Sequence, residues 1–363
     1  MTSQPGNTRV LPPSLTLLLS AAAATIALAG IYFTSEIFGP LLLGWLIVII
    51  CLPVRNPFIR MGAPGWLAST AVIVVAFFLL AGMGGLLYYA GSRFADMVPE
   101  IATELQTTAG SIIAWLHSVG LDQQAANAVS SFLEPSYILS WVTYLSNMAL
   151  GTVVAFFFVV CYVIFISADA SRISRAKELY GESSTPSIKA FARFNSGVRR
   201  YFVVNALFGA VVAVIDGAAL WFLDVPGPAV WAVLAFVTNF IPNIGFFLGM
   251  APPTLLAFVV GGWPLALIVI AIYCGVNVLL QVLIQPKFIS DAVNLNLTLS
   301  FFSVVFWTFI LGPLGAILSV PLTLAVRALV LENDPGTHWL RWLSGEEITE
   351  AHTHDESSSA RLV

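Results

Sequence analysis

Residues 228–264 read PAVWAVLAFVTNFIPNIGFFLGMAPPTLLAFVVGGWP, and residues 295–326 read LNLTLSFFSVVFWTFILGPLGAILSVPLTLAV. Neither stretch holds one ionisable side chain. Each is broken near its middle by glycine and proline, at Asn239-Phe-Ile-Pro-Asn-Ile-Gly245 and at Leu311-Gly-Pro-Leu-Gly315. A straight helix of about thirty residues would be roughly 45 Å long, while a bilayer's hydrocarbon core is about 30 Å thick. Either the helix tilts and overhangs, or each stretch forms two half-helices around an irregular joint. Irregular backbone at membrane depth survives only where protein buries it or it lines a watery cavity. Paired interruptions of this kind point to a transport site.

The composition places the whole chain in the same environment. Of 363 residues, 58% are hydrophobic and 9% charged, against about 25% charged in a soluble domain. So few charges cannot clothe a globule of this size in water. Cys51, Cys161 and Cys274 all sit within apolar runs. An odd count there argues against a disulfide framework and against a metal cluster. The first run, Leu15–Ile31, ends in Ala27-Leu-Ala29, which resembles a signal-peptidase site. A second run from Ile37 to Leu52 follows at once, so the pair reads as a helical hairpin with a tight outer turn.

The expected fold is an all-α polytopic integral membrane protein with about eight transmembrane helices. Spans fall near 14–33, 37–53, 66–90, 145–168, 201–223, 228–260, 263–285 and 297–330. Segments 228–260 and 297–330 are broken or re-entrant; as hairpins they would leave six full crossings. Thirteen of the fifteen basic residues share one side of the alternating topology, all but Arg93 and Lys287. That asymmetry sets both termini in the cytoplasm. Along the chain this gives 1–90 as a tail and three spans, and 91–140 as an outer segment. The fourth span is 141–168, the basic inner loop 169–200 and the transport region 201–330. A polar tail, 331–363, is expected to be disordered.

In the outer segment Ile101, Leu105, Ile112, Leu116 and Val119 recur at helical spacing, suiting amphipathic helices on the membrane surface or between subunits. The inner loop carries Arg172, Arg175, Lys177, Lys189, Arg193, Arg199 and Arg200 with spaced aromatics, a pattern suited to anionic lipid headgroups. Nucleic acid is not an expected partner, since no fold-sized soluble domain is present.

No enzyme site is legible, and neither a Walker motif nor zinc spacing occurs. No cofactor is expected. The candidates are polar residues inside the spans. Asp216 is the only acid well inside an apolar span, and an ionisable group there costs a few kcal/mol unless it faces an interior or a pathway. It suits proton or cation coupling, or it reaches headgroup water as a structural residue. Tyr273, Asn277, Gln281 and Gln285 each follow the last by four residues, so one helix face carries a polar column. The column either lines a path for a hydroxyl-rich solute or hydrogen-bonds a neighbouring helix. Asn239 and Asn243 flank Pro242, where freed carbonyls need partners. Asn294, Asn296 and Thr298 open the last block as candidate helix caps.

At these residues the chain resembles a known family. Asn239-Phe-Ile-Pro-Asn-Ile-Gly245, with Pro252 and Pro253 following, is similar to the FIPYIGP segment of the AI-2E (autoinducer-2 exporter, PerM-like) transporters. Gln285-Pro-Lys-Phe288, Gly312-Pro-Leu-Gly315 and Ser319-Val-Pro321-Leu resemble that family's C-terminal signature. The chain departs from the pattern with Asn243 where an aromatic is usual and Phe246 where proline is usual. The resemblance implies a homo-oligomer of the bacterial inner membrane that exports a small polar signal such as autoinducer-2. It equally implies, through other relatives, a sodium- or lithium-for-proton antiporter. The resulting expectation is a secondary transporter whose polar path comprises Tyr273, Asn277, Gln281, Gln285, Asn239 and Asn243. Pro242, Gly245, Gly312, Pro313 and Gly315 would be its gating breaks, and Asp216 a possible coupling group. The alternatives are the antiporter centred on Asp216 and a membrane scaffold with no flux.

Overall fold

The structure is a computed structural model that describes residues 12–118, 155–169, 185–289 and 295–331. Every regular element among them is helical. In chain order these are α1 (Pro13–Phe33), α2 (Ser35–Cys51), a 3-10 turn (Leu52–Val54), α3 (Arg55–Arg60) and α4 (Gly65–Ser118). Next come α5 (Ala155–Asp169), α6 (Thr185–Phe222), α7 (Pro228–Thr238) and α8 (Gly245–Asn277). A π-helix (Val278–Ile284), α9 (Pro286–Ile289), α10 (Leu297–Leu311) and α11 (Pro313–Leu331) complete the described chain. Four helical stretches, Ser35–Arg60, Gly65–Met97, Phe194–Phe222 and Gly245–Phe288, are long and apolar enough to cross a membrane, and shorter apolar helices accompany them. The protein is an all-α, multi-pass membrane protein.

Both sequence breaks are turns between antiparallel arms. Gly227, at φ 69°, sets up Pro228 as the first helical residue of α7, a position where its missing N–H costs nothing. Pro242 cannot continue the ladder, and residues 239–244 form a chain of tight turns. The chain then folds back so closely that a Cβ on Gly245 would stand 1.8 Å from the Thr238 carbonyl oxygen. One on Gly249 would stand 2.7 Å from Thr238 Oγ1. The return arm ends at Gly262, whose φ of 67° and ψ of −165° interrupt α8. At the second break Gly312 turns the chain at φ 67°. A Cβ on Gly315 would meet the Trp307 carbonyl oxygen at 1.8 Å. Trp307 Nε1 donates across the pair to Thr323 Oγ1 at 3.0 Å.

The first arm of each hairpin is short. The 11 residues of α7 span about 17 Å and the 15 of α10 about 22 Å, both short of a 30 Å core. Each stretch folds back on itself at its break, so the two are helical hairpins rather than single straight helices.

Two boundaries differ from expectation. The third span does not stop at residue 90: α4 runs on to Ser118 as one helix of 54 residues, because nothing before Pro99 breaks its hydrogen bonding. α1 and α2 meet at the single residue Thr34, but α1 leans on α10, with Tyr32 stacked on Phe309 at 5.5 Å. It does not close the expected hairpin with α2. The expectations for the outer segment beyond Ser118, for 170–184, for Asn294 and for the tail lie outside the described residues. Asn296 does cap α10, its Oδ1 accepting from Leu299 N at 2.7 Å.

Three apolar clusters hold the helices together. One joins α2, α6 and the second hairpin through Leu46, Val198, Phe202, Trp307 and Leu318. Another joins α4, α6, the first hairpin and the arm after Gly262 through Ala90, Leu220, Trp231, Leu256 and Val269. The third joins α2, α4 and α5 through Ile47, Val72, Ala76 and Val163. Helix α6 is anchored at both ends, in the first cluster near Val198 and in the second near Leu220. Its middle, between the two, is where polar side chains gather.

Candidate functional site

One face of α6 carries Asn205, Gly209, Val212 and Asp216, at steps of four, three and four residues. Opposite runs the arm after Gly262 with Tyr273, Asn277, Gln281 and Gln285. The two are antiparallel, since Gln285 meets Asn205 at one end while Asp216 and Tyr273 line the same cavity at the other. The first hairpin's joint inserts Asn239 between them.

At one end of this seam every polar group is engaged with its neighbour. Arg200 Nε donates to the Phe288 carbonyl at 2.9 Å. Gln285 Nε2 donates to Asn205 Oδ1, and Gln281 Nε2 to Asn239 Oδ1. Asn239 Nδ2 donates in turn to the Asn205 carbonyl at 2.9 Å. Asn205 also hydrogen-bonds Tyr201, so this one residue ties three partners, Tyr201 and Gln285 through its side chain and Asn239 through its backbone carbonyl. Gly209 makes room for this arrangement: a Cβ there would stand 2.7 Å from Asn239 Nδ2.

At the other end the polar groups are unmatched. Asp216 is 2% exposed and Tyr273 3%. Asp216 Oδ1, Tyr273 Oη and Asn277 Nδ2 are buried with no hydrogen-bond partner. Such groups cost roughly 1–3 kcal/mol each when left unpaired, and three around one cavity make it the leading candidate site. They border a cavity of about 20 Å³, also lined by Thr238, Asn239 and Gln281, with room for about one water. Asp216 thus points into the protein rather than onto its surface.

The π-helix keeps the column straight. Steps of four residues in an α-helix overshoot a full turn by about 40° each, so four such residues would wind off the seam. Between Val278 and Ile284 the backbone widens, and Gln285 N–H donates to the Leu280 carbonyl five residues back at 2.8 Å. Wider turns undershoot where α turns overshoot. Both Gln281 and Gln285 consequently stay aimed at α6. Isolated π turns recur at functional sites.

The structure therefore joins Asp216, Asn239 and the whole 273–285 column, which the sequence offered as separate candidates. It leaves Asn243 outside the cavity: this exposed residue, at φ 63°, donates from Nδ2 to Ser300 Oγ at 3.3 Å, linking the first hairpin's tip to the start of α10. Pro242 and Gly245 shape the joint without touching the cavity, and Gly312, Pro313 and Gly315 belong to the second hairpin. Asn205 and Thr238 escaped the sequence reading. Asn205 lies eleven residues before Asp216, about three turns along the same face, and that spacing was the available signal. Among the described residues no three His, Cys, Asp or Glu side chains group together as a metal site.

Residues 22–333 match the family model described as AI-2E family transporter, a stretch that includes both hairpins and the seam. The chain belongs to the AI-2E family of transporters. It is 27% identical over 325 residues to the AI-2 transport protein TqsA of Escherichia coli (strain K12), covering 89% of this chain and 93% of that one. It is 29% identical over 335 residues to a putative transport protein of Haemophilus influenzae, covering 91% and 96%. A further relative, the putative transport protein YhhT of E. coli (strain K12), is 26% identical over 329 residues.

Proposed function

We propose that the protein is a secondary transporter that exports a small polar molecule such as autoinducer-2 along the seam between α6 and the arm after Gly262. The observation that carries this reading is the cluster of three unpartnered buried polar atoms on Asp216, Tyr273 and Asn277 around one cavity. A solute with hydroxyl groups, each both donor and acceptor, would satisfy all three. The name of the TqsA relative supports autoinducer-2 as the first solute to offer. A cavity of about 20 Å³ admits no organic solute, so this is a closed state, and the breaks at Pro242–Gly245 and Gly312–Gly315 are the joints about which it opens. Nothing in the site calls for a catalytic step or a cofactor.

The setting is the bacterial inner membrane, with both termini cytoplasmic, in a homo-oligomer contacting lipid and no nucleic acid. With two hairpins and six crossings, Lys287 joins the other basic residues on the inner side, leaving Arg93 as the exception. The bond from Arg200 to Phe288 supports that placement. A second reading, a monovalent cation/proton antiporter, is favoured by one feature alone, the unpaired Oδ1 of Asp216 in the cavity.

The test is flux in proteoliposomes with and without a pH gradient, offering autoinducer-2 and sodium in parallel to wild type, Asp216→Asn and Asn277→Leu. Autoinducer-2 movement that drops in Asn277→Leu supports the exporter. Sodium-dependent proton movement lost in Asp216→Asn replaces it with the antiporter. A protein that moves neither solute is a scaffold.

A further inference from the structure

We propose that Asn205, Asn239, Gln281 and Gln285 form a selectivity gate that neutral, hydroxyl-bearing solutes open by exchanging hydrogen bonds and that alkali cations do not pass. The inference rests on the transport reading above and names what the seam admits. The four amides close the seam next to the cavity: two side-chain bonds join Gln285 to Asn205 and Gln281 to Asn239, and a third runs from Asn239 to the Asn205 carbonyl. A solute leaving the cavity along the seam toward Arg200 meets this clasp before anything else.

None of the four side chains carries charge, and each offers donors as well as an acceptor. An amide–amide bond and an amide–hydroxyl bond are close in net worth. A neutral polyol can therefore replace the partners one at a time with little change in energy. A bare alkali cation gains less: it must exchange its water for neutral amide oxygens, two of which, Asn205 Oδ1 and Asn239 Oδ1, already accept a hydrogen bond. The clasp itself, with Asn205 4% and Gln285 9% exposed, supplies no charge to offset its dehydration, and the acid in reach, Asp216, lies on the cavity side of the clasp. Asn205, which bonds Tyr201, Gln285 and Asn239 together, is the positioning and specificity-determining residue. Gly209 keeps the clasp close enough to form.

The experiment uses the full-length protein in proteoliposomes, with autoinducer-2 and sodium as the two probes and thermal unfolding in detergent alongside. The variants are the paired change Asn205→Leu with Gln285→Leu, and the isosteric Asn205→Asp. Replacing both members of a buried bond by apolar groups is close to neutral for stability, and only the Tyr201 hydroxyl then loses a partner, so the double variant should melt below wild type yet stay folded. Its autoinducer-2 flux should fall by about tenfold or more, the equivalent of one lost bond to the passing solute. Asn205→Asp places a carboxylate in the gate and should raise sodium flux while autoinducer-2 flux falls, a change of selectivity that a purely structural amide would not produce. A folded double variant that carries autoinducer-2 at the wild-type rate overturns the gate. So does an Asn205→Asp protein with unchanged selectivity. If the wild type itself moves neither probe, the transport reading has failed first, and that result is read from the wild-type arm alone.

Discussion

The two hairpins share a closing device and differ in what they hold at the tip. In each, one glycine lies so close to a carbonyl of the opposite arm that any side chain would collide with it, Gly245 with Thr238 and Gly315 with Trp307. The first tip is six residues long with two asparagines, and it delivers Asn239 into the seam. The second is the single residue Gly312 between two apolar arms, and Leu311 and Leu314 on either side of it belong with the cluster that anchors α2 and α6. Similar Gly/Pro signals thus produce one arm that reaches the polar route and one that packs against the frame. What separates them is the pair of asparagines around Pro242.

That contrast can be broken at several points. The largest effects should come where the hairpins are alike: Gly245→Ala and Gly315→Ala each force a carbonyl clash, and both should destabilise by several kcal/mol. Monodisperse yield and melting temperature in detergent would read this out, and a well-folded Gly315→Ala would show that the second arm can shift. Next is Asn239→Leu, which should cut autoinducer-2 flux at least tenfold while the protein remains folded; retained flux would remove the first tip from the route. Gly209→Ala, which crowds Asn239 Nδ2, should cut flux several-fold by the same path without touching the second hairpin. Trp307→Phe removes the bond to Thr323 and should cost about 1 kcal/mol of stability with flux unchanged. The smallest effect belongs to Asn243→Gly, since glycine relieves the positive φ while the long bond to Ser300 is lost. A melting temperature within a few degrees of wild type is expected.

Much of this was legible because the breaks and the polar column are covalent patterns. Pro242 and Gly245 mark a joint whatever surrounds them, and Tyr273, Asn277, Gln281 and Gln285 announce one face by spacing alone. The meeting of that face with Asp216 was not legible, because it depends on α6 running antiparallel to a helix some sixty residues later. Asn205 stood in an ordinary helical stretch, and only its partners reveal its role. The length of α4 was hidden for another reason: its hydrophobicity fades near residue 90 while its hydrogen bonding does not. The π-helix left no mark in composition at all, since Val278–Ile284 reads like any apolar span.

That widened stretch has a genetic consequence. Deleting one residue from the interior of a transmembrane helix normally turns everything beyond it by about 100° and ruins its packing. Here the helix already contains the surplus, so loss of Leu280 would let the backbone relax into an ordinary α-helix with its hydrogen bonds intact. The chain would shorten without protest, and Gln285, then seven α-helical residues after Asn277, would still face α6, while Gln281, three after it, would swing about 60° off the seam. A deletion series through Val278–Ile284 could therefore yield folded proteins with a dismantled route, separating the spelling of the fold from the spelling of the passage.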